Sequence, residues 1–257
     1  MEMTSYKPGT PSWVDLGSPN IEESAAFYSA LFGWGVLPAM PDSGGYRMCH
    51  LHGKPVAAFG TQTMPDVPPF WTTYISVADA DATAKAVEAA GGQTLVPVMD
   101  VFTAGRMAVF MDPTGAPISI WQPGDHIGAS FVNEPGALSW NELTTRKTDE
   151  GTAFYTEAFG WTADPQPMGP ITYTVWMLDG NPIGGMMPMD ENWPAEVPSH
   201  WAVYFTVEDT DATVAKVVEL GGSVVAPPQD IPQGRFAALR DPHGAAFSVI
   251  ANPNTNA

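Results

Sequence analysis

The sequence predicts an α+β fold built as two tandem domains, because three residue patterns occur twice along the 257-residue chain. The patterns recur at offsets of 127, 130 and 129 residues, which is the mark of an internal duplication. They are Phe-Tyr followed by Phe-Gly-Trp (27–34 and 154–161), Trp-x-x-Tyr (71–74 and 201–204) and Asp-Pro-x-Gly (112–115 and 241–244).

The repeat spacing sets the predicted domain boundaries. We expect a first domain over residues 1–123, a linker over 124–136 and a second domain over 137–257. Halves of this length, about 125 residues, are a common domain size and can bury a sizeable core. The linker is rich in Gly and Pro, but it could also pack against a domain.

Each half reads as strand, helix and hairpin, and then the same order again. In the first unit Asn20 is a predicted N-cap, Glu23 stands at the third helical position and Gly33 ends the helix. Phe27 and Tyr28 begin an apolar stripe on that helix, which we assign to the core. The predicted elements of this unit are a strand over 12–16, a helix over 20–32 and strands over 46–51 and 55–60.

The second unit of the first half follows the same plan. Asp79 is the predicted N-cap of an Ala-rich helix, and Gly91 marks the helix end. The Asp-Pro-x-Gly residues form the last hairpin turn, since Pro fixes φ and Gly tolerates positive φ. The predicted elements are a strand over 71–77, a helix over 79–90 and strands over 93–97, 106–111 and 118–121.

Composition excludes several classes of function. The formal net charge of −18 argues against nucleic acid and anionic membranes, which bind clusters of Lys and Arg. It favours a cationic ligand, although a charged surface also serves solubility. A single cysteine, Cys49, permits no intramolecular disulfide, and no segment has the roughly 20 apolar residues of a membrane span. We expect a soluble, cytoplasmic protein.

Four such units, with the Phe-Tyr and Phe-Gly-Trp pattern and the Asp-Pro-x-Gly turn in each half, resemble the vicinal oxygen chelate superfamily of glyoxalases, bleomycin-resistance proteins and extradiol dioxygenases. The resemblance covers nearly the whole chain and is nearest to tandem actinobacterial proteins loosely labelled glyoxalase-like or hydroxylase. It implies two βαβββ-type units per domain, whose sheets curl into a half-open mixed β-barrel. The concave face of such a barrel holds a metal or a bulky ligand, and fold alone does not choose between them.

The metal positions that the resemblance implies carry no metal-binding side chain here. Tryptophan, whose indole N–H only donates, stands at the first position in both halves. Neither a shift by one strand pleat nor any other single slip brings together the three ligands that a divalent metal usually needs. We therefore expect no metal and no cofactor. The implied positions are Trp13 and Trp140, Thr72 and Ala202, Ser119 and Ser248, and the hairpins around 57–59 and 184–186.

A different set recurs on the predicted concave faces. Tryptophan and an acid alternate on the first strand of each half, so they share one face, and a Tyr stands on the next strand. Two interpretations stay open for the Trp pair, a ligand wall or barrel core. For the acids we favour the pocket, because a buried carboxylate is rarely left unpaired. We predict ligand binding by Trp13, Asp15, Tyr74, Trp140, Glu142, His200 and Tyr204, with Asp15 and Glu142 as candidate catalytic acids.

Two functions follow from this set. The first is metal-free binding of a small aromatic or cationic molecule, as in bleomycin resistance by sequestration or carriage. The alternative is an enzyme, a lyase or oxygenase of the superfamily that acts on a secondary metabolite, with Asp15 or Glu142 as general base. A partner-binding protein with a filled pocket is a third class. The expected partner is a small molecule, with a homodimer left open.

Overall fold

The computed structural model describes residues 1–62 and 67–252, so residues 63–66 and the last five residues of the predicted second domain lie outside the described part. The first half contains eight strands and two helices among these residues. They are β1 (Pro11–Ser18), α1 (Ile21–Phe32), β2 (Gly35–Val36), β3 (Arg47–Leu51), β4 (Lys54–Thr61), β5 (Trp71–Ser76), α2 (Ala80–Ala89), β6 (Gln93–Val101), β7 (Gly105–Met111) and β8 (Pro117–Pro123).

The second half repeats this order element by element. Its elements are β9 (Leu138–Thr145), α3 (Thr148–Phe159), β10 (Thr162–Met168), β11 (Ile171–Leu178), β12 (Asn181–Pro188), β13 (His200–Thr206), α4 (Thr210–Glu219), β14 (Ser223–Ile231), β15 (Gly234–Arg240) and β16 (Ala246–Ala251). The predicted α+β class with two βαβββ units in each half is confirmed.

Helix α1 shows how local sequence sets these boundaries. The Asn20 side chain accepts a hydrogen bond from the Glu23 amide at 3.3 Å, which satisfies one of the free N–H groups at the helix start. Gly33 follows the last turn with φ 73°, a left-handed conformation that a residue without Cβ adopts at little cost. The predicted cap and stop of this helix are both confirmed.

Each half forms one mixed eight-stranded sheet with the curl of a half-barrel. The strand order is β2-β3-β4-β1-β5-β8-β7-β6 in the first half, and the second half has the equivalent order. The two units of a half meet at the centre of the sheet, where β1 pairs antiparallel with β5. In the second half β9 pairs with β13 in the same way. The first strands of both units thus lie side by side.

The two halves share their hydrophobic cores. One core joins the first unit of the first half, including Leu16 and Phe27, to the second unit of the second half, including Phe205 and Phe247. The other joins the second unit of the first half to the first unit of the second half, which supplies Trp161 and Trp176. Burial of apolar surface therefore holds the halves to each other as well as holding each half together.

The recurring sequence patterns meet across this junction. Tyr28 of the first Phe-Tyr pair donates a hydrogen bond to Asp241 in the turn of the opposite half, at 3.3 Å. The indole N–H of Trp34 reaches the carbonyl oxygen of Gly136 at 2.6 Å, and that of Trp161 reaches Gly9 at 2.7 Å. Residues of the patterns that mark the duplication therefore also form hydrogen bonds that stabilise the contact between the two halves.

The sequence-based interpretation missed one strand in each half. Strand β2 has only two residues, and β10 contains Pro165 and Pro167, which argue against a strand. Both strands lie at the end of a sheet, where one side needs no hydrogen-bond partner and Pro is tolerated. Proline therefore argues against a strand at the centre of a sheet, but it is compatible with an edge strand such as β10.

The predicted linker packs against the first half. Its backbone N–H groups at Ala129 and Ser130 donate to the carbonyl oxygens of Ser12 and Pro55, both at 2.8 Å. Gly128 has φ 107°, and a Cβ there would overlap the Ser12 carbonyl oxygen. Of the alternatives that the composition left open, packing against a domain is the one observed. None of the helices among the described residues combines the length and apolar character needed to span a membrane.

Candidate functional site

Two equivalent groups of four side chains lie on the sheet faces that point away from the shared cores, which are the faces that the family resemblance predicts to be concave. In β1 the side chains of Val14 and Leu16 enter the shared core, so strand alternation turns Trp13 and Asp15 to the opposite face. Trp13 is paired with Tyr74 across the β1–β5 ladder. We name Trp13, Asp15, Tyr46 and Tyr74 the first quartet, and Trp140, Glu142, Tyr173 and Tyr204 the second quartet.

Hydrogen bonds connect the first quartet in a defined direction. The indole N–H of Trp13 donates to the Tyr46 hydroxyl at 3.0 Å, and that hydroxyl donates to Asp15 Oδ2 at 3.1 Å. The Tyr74 hydroxyl donates to the same oxygen at 2.8 Å. One carboxylate oxygen therefore accepts two phenolic protons, an arrangement that satisfies a buried acid without a cation.

The second quartet repeats these contacts with Glu in place of Asp. Trp140 donates to the Tyr173 hydroxyl at 2.9 Å, and Tyr204 donates to Glu142 Oε1 at 3.1 Å. A hydrogen bond from Tyr173 also reaches the Glu142 carboxyl group. The same donors, acceptors and order thus occur on both concave faces.

The two acids hold their protons more strongly than exposed carboxyl groups do. Burial raises the pKa of Asp15 to about 6, and hydrogen bonds from Tyr74 and Tyr46 oppose the shift. Burial also raises the pKa of Glu142 to about 7, against the hydrogen bonds from its two tyrosines. Both groups can therefore gain or lose a proton near neutral pH, which is the range suited to general acid–base chemistry.

A glycine makes room for the second quartet. Gly185 of β12 is paired with Glu142, and a Cβ at this position would overlap the Tyr173 hydroxyl. The Tyr173 ring can therefore cross β12 closely enough to reach both Glu142 and Trp140. In the first half Ala58 is the residue paired with Asp15.

The structure brings six of the seven predicted ligand-binding residues into the two quartets, which contain both candidate catalytic acids. His200 stands apart from the hydrogen-bonded group, because it is paired with Thr144 at the start of β13 and its Nδ1 contacts the Pro198 carbonyl oxygen at 2.9 Å. Burial lowers the pKa of His200. It shares the concave face with Tyr204 but lies two pairs along the ladder from Glu142.

Tyr46 and Tyr173 are the quartet members that sequence reasoning did not assign to the site. Tyr173 reaches the site from β11, a strand that is separated from β9 by β12. A usable signal was present, because Tyr46 and Tyr173 recur at the same 127-residue offset as Trp13 and Trp140. That offset alone does not tell a site residue from a core residue.

The two quartets differ in how far they are covered. Trp13 is only 3% exposed, and Tyr74 is buried with it in an apolar cluster that includes Ala129 and Val132 of the linker. In the second half Trp140, Tyr173 and Tyr204 are all partly exposed. The core interpretation therefore suits Trp13, and the ligand-wall interpretation suits Trp140.

The donor set of the concave faces does not fit the divalent metal that the family resemblance implies. Each quartet contributes one carboxylate, and the residues paired with the two acids across the central ladder are Thr72 and Ala202. Within residues 1–62 and 67–252 no group of three His, Cys, Asp or Glu side chains lies close enough to hold a metal ion. A site with one carboxylate falls short of the three protein ligands that such ions usually take.

Two concavities lie elsewhere on the surface. A groove of about 570 Å³ runs between α1 and α4, with Phe131 and Val207 among its lining residues. A second of about 420 Å³ lies beside the start of α3 and includes Thr148 and Thr174. Neither contains a member of the quartets, and neither gathers a comparable hydrogen-bonded group of aromatic and acidic side chains.

Comparison with known proteins identifies the family. The model described as Glyoxalase/Bleomycin resistance protein/Dioxygenase superfamily matches residues 10–120 and again 129–249. A Mycobacterium tuberculosis (strain CDC 1551 / Oshkosh) protein provisionally named glyoxylase CFP32 is 45% identical over 254 residues, which cover 96% of each chain. Anthracycline biosynthesis protein DnrV of Streptomyces peucetius is 41% identical over 263 residues, covering 96% of this chain and 95% of DnrV.

Solved structures share the fold at low sequence identity. The Mn(II)-bound glyoxalase from Novosphingobium aromaticivorans superposes with a TM-score of 0.67 at 15% identity, covering 95% of this chain and 82% of that one. The 2,3-dioxygenase LapB from Pseudomonas sp. KL28 gives 0.63 at 16% identity, covering 95% and 92%. With the two family matches along its length, the chain belongs to the glyoxalase/bleomycin resistance protein/dioxygenase superfamily.

Proposed function

We propose that the chain binds a flat aromatic, cationic small molecule on a concave face without the help of a metal. The observation that carries this proposal is the quartet itself, an indole, two phenols and one acid in the position where the family resemblance implies a metal set. Aromatic side chains offer broad apolar contact, and a carboxylate among them can pair with a ligand cation.

The second half supplies the better-exposed surface for this role. Trp140, Tyr173 and Tyr204 are partly exposed, and Phe236 lies beside Tyr204 with ring centroids 6.5 Å apart. A planar ligand could contact several of these rings at once. Glu142, whose pKa is raised to about 7 by burial, would take the charged form more readily when a cationic ligand group lies next to it.

The name of one relative supports this class of ligand. DnrV is named for anthracycline biosynthesis, and it aligns with 96% of this chain. Anthracyclines combine a planar tetracyclic ring system with an amino sugar, so they present both the flat apolar face and the cation that the quartets suit. We therefore choose an anthracycline as the first probe.

An enzyme is the second candidate, because one observation favours it specifically. The pKa of Glu142, raised to about 7 by burial, matches the value expected of a general acid or base that works near neutral pH. In this alternative Glu142 or Asp15 would take a proton from a bound secondary metabolite, in a lyase or oxygenase-type reaction. Binding would then be the first step of turnover.

Titration of tryptophan fluorescence tests the binding proposal. Daunorubicin, its N-acetylated form without the cation, and bleomycin would be titrated into the wild-type chain. We expect saturable quenching by daunorubicin, weaker binding of the acetylated form, and loss of most of the signal in Trp140→Phe. Unchanged fluorescence with every cationic and polycyclic compound of a broader panel would contradict the proposal.

Product analysis separates binding from catalysis. Mass spectrometry of daunorubicin after incubation with excess wild-type protein should recover the compound unchanged if the chain only binds it. Conversion by the wild-type chain that is lost in Glu142→Gln, together with retained binding in that variant, would favour the enzyme instead.

A further inference from the structure

The linker places an aromatic side chain against the first quartet. The imidazole ring of His126 meets the indole of Trp13 edge to face, with centroids 4.5 Å apart and an interplanar angle of 85°. It also contacts Trp121 at 5.8 Å. An aromatic ring in this geometry is a favourable contact for an indole, so His126 contributes to the burial of Trp13.

The backbone around His126 is held firmly in this position. Trp121 donates its indole N–H to the His126 carbonyl oxygen at 2.8 Å, and the His126 amide donates to the Ala104 carbonyl oxygen at 3.0 Å. Further along, the Tyr6 hydroxyl donates to the Ala129 carbonyl oxygen at 2.6 Å. The backbone that carries the imidazole is thus fixed by hydrogen bonds on both sides of His126.

The imidazole is chemically suited to a partly buried aromatic position. Burial, aided by the nearby His50, lowers the pKa of His126 to about 4, so the ring is neutral at physiological pH. Its Nε2 atom is buried and makes no hydrogen bond within the described part of the chain. Burial of a ring nitrogen without a hydrogen bond costs free energy, so the other contacts of His126 must hold the imidazole in place.

The second quartet has no equivalent cover among the described residues. Trp140 is partly exposed, whereas its counterpart Trp13 is 3% exposed under the linker. The position of Trp121, which helps to hold His126, is taken in the second half by Ile250. The two faces therefore share their quartets, and within residues 1–62 and 67–252 only the first quartet has such a cover.

From this difference we propose that His126 is a built-in occupant of the first concave face, so that the chain binds one ligand, on the second face, with an aromatic ring set edge to face against Trp140. The ligand part of this inference rests on the function proposed above. The occupancy of the first face by His126 does not.

Removal of the imidazole tests the occupancy without any unknown ligand. In His126→Gly a space of imidazole size opens beside Trp13, and we expect a lower melting temperature that free imidazole at pH 8 partly restores. The same imidazole concentration should leave the wild-type melting temperature unchanged, with sodium chloride of equal concentration as the control. In His126→Ala the backbone is less flexible than in His126→Gly. Imidazole should again raise the melting temperature, but by a smaller amount.

Equal responses of the wild type and both variants to imidazole would overturn the occupancy. So would a melting temperature that neither substitution changes. These outcomes do not depend on whether the protein binds an anthracycline.

Stoichiometry tests the ligand part. Calorimetric titration with daunorubicin should give one site per wild-type chain and two sites in His126→Gly. In His126→Gly combined with Gly185→Ala, one of the two sites should be weakened by about tenfold or more. Two sites in the wild type, or a single wild-type site whose affinity Gly185→Ala leaves unchanged, would overturn the inference while leaving the proposed function intact. Absence of binding in every variant would instead contradict the proposed function, and the imidazole experiment would still decide the occupancy.

Discussion

Tyr155 donates a hydrogen bond to Asp112 at 2.8 Å, although the two residues belong to opposite halves of the chain. Trp201 in turn donates its indole N–H to the Tyr155 hydroxyl at 2.8 Å. The equivalent contacts in the other copy are longer, since Tyr28 lies 3.3 Å from Asp241 and 3.2 Å from Trp71. Each copy of the Phe-Tyr pattern therefore serves the junction between the halves.

Substitution of these tyrosines tests the junction. Tyr155→Phe removes a buried donor and acceptor together and leaves Asp112 and Trp201 without that partner. We expect a loss of about 2–4 kcal/mol in the free energy of unfolding. Tyr28→Phe is the matched control, and its longer hydrogen bonds predict a smaller loss. Urea unfolding would measure both, and a larger loss in Tyr28→Phe would contradict this ranking.

A buried polar pair near the centre of the junction offers a second test. Thr73 of β5 donates its hydroxyl to the Asn141 side-chain oxygen of β9 at 2.9 Å, and both residues are buried. Their counterparts at the repeat offsets are the apolar pair Val203 and Val14. The chain itself thus shows that an apolar pair can occupy this place.

Asn141→Val alone should lower the free energy of unfolding by about 1–3 kcal/mol, because the Thr73 hydroxyl loses its buried partner. The double variant Thr73→Val with Asn141→Val should recover most of that loss, because the chain already has an apolar pair, Val203 and Val14, at the equivalent positions. A double-mutant cycle in urea would measure the coupling. Additive losses would show that the hydrogen bond does not couple the two positions.

The raised pKa values of the quartet acids predict a pH dependence of stability. The pKa of Asp15 rises from 3.8 to about 6 and that of Glu142 from 4.5 to about 7 on folding, because both are buried. The folded chain therefore binds more protons than the unfolded chain within this range. Their contribution to stability is present below about pH 4 and is lost as the pH rises through about 6 and 7.

Asp15→Asn and Glu142→Gln isolate this effect, since the neutral amide oxygen can still accept from the tyrosines. Relative to the wild type, each variant should gain stability between pH 4 and pH 8, on the order of 2–3 kcal/mol. Melting temperatures across that range would measure the difference. A difference that stays constant with pH would show that folding does not raise the pKa of these acids.

Gly185 predicts a selective effect on the second quartet. In Gly185→Ala the new methyl group would overlap the Tyr173 hydroxyl, so the ring must shift and its hydrogen bonds with Glu142 and Trp140 weaken. We expect daunorubicin affinity to fall by about tenfold or more, the value of one hydrogen bond to an acid. Gly184→Ala is the control, because its Cβ would approach the Asn141 carbonyl oxygen at 3.0 Å instead. Equal affinities in both variants would count against the quartet as the binding site.

Sequence patterns predicted the fold class and named six of the eight side chains that form the two quartets, for physical reasons that are visible at particular residues. Alternation along a strand put Trp13 beside Asp15 on one face, and this depends only on neighbouring residues. The reach of Tyr173 across β12 depends on strand order and on the space above Gly185, which are not local properties.

Duplication also leaves it open, in the sequence, which of two equivalent partners a residue contacts. Tyr28 could pair with Asp112 of its own half or with Asp241 of the other, and the repeat spacing suits both choices. The shared cores decide for Asp241, because α1 packs on the second unit of the opposite half. The position of His126 over Trp13 was equally hidden, since it arises from a linker whose backbone bonds are non-local.

The proposed function is the binding of an aromatic cation on a quartet without a metal. Calorimetric titration of daunorubicin into protein that has been treated with EDTA and dialysed tests it most directly. We predict saturable binding that is unchanged when Mn(II), Fe(II) or Zn(II) is added back and that is weakened by Gly185→Ala. Binding that appears only after one of these ions is restored, with about one ion per half by elemental analysis, would contradict metal-free binding by the quartet.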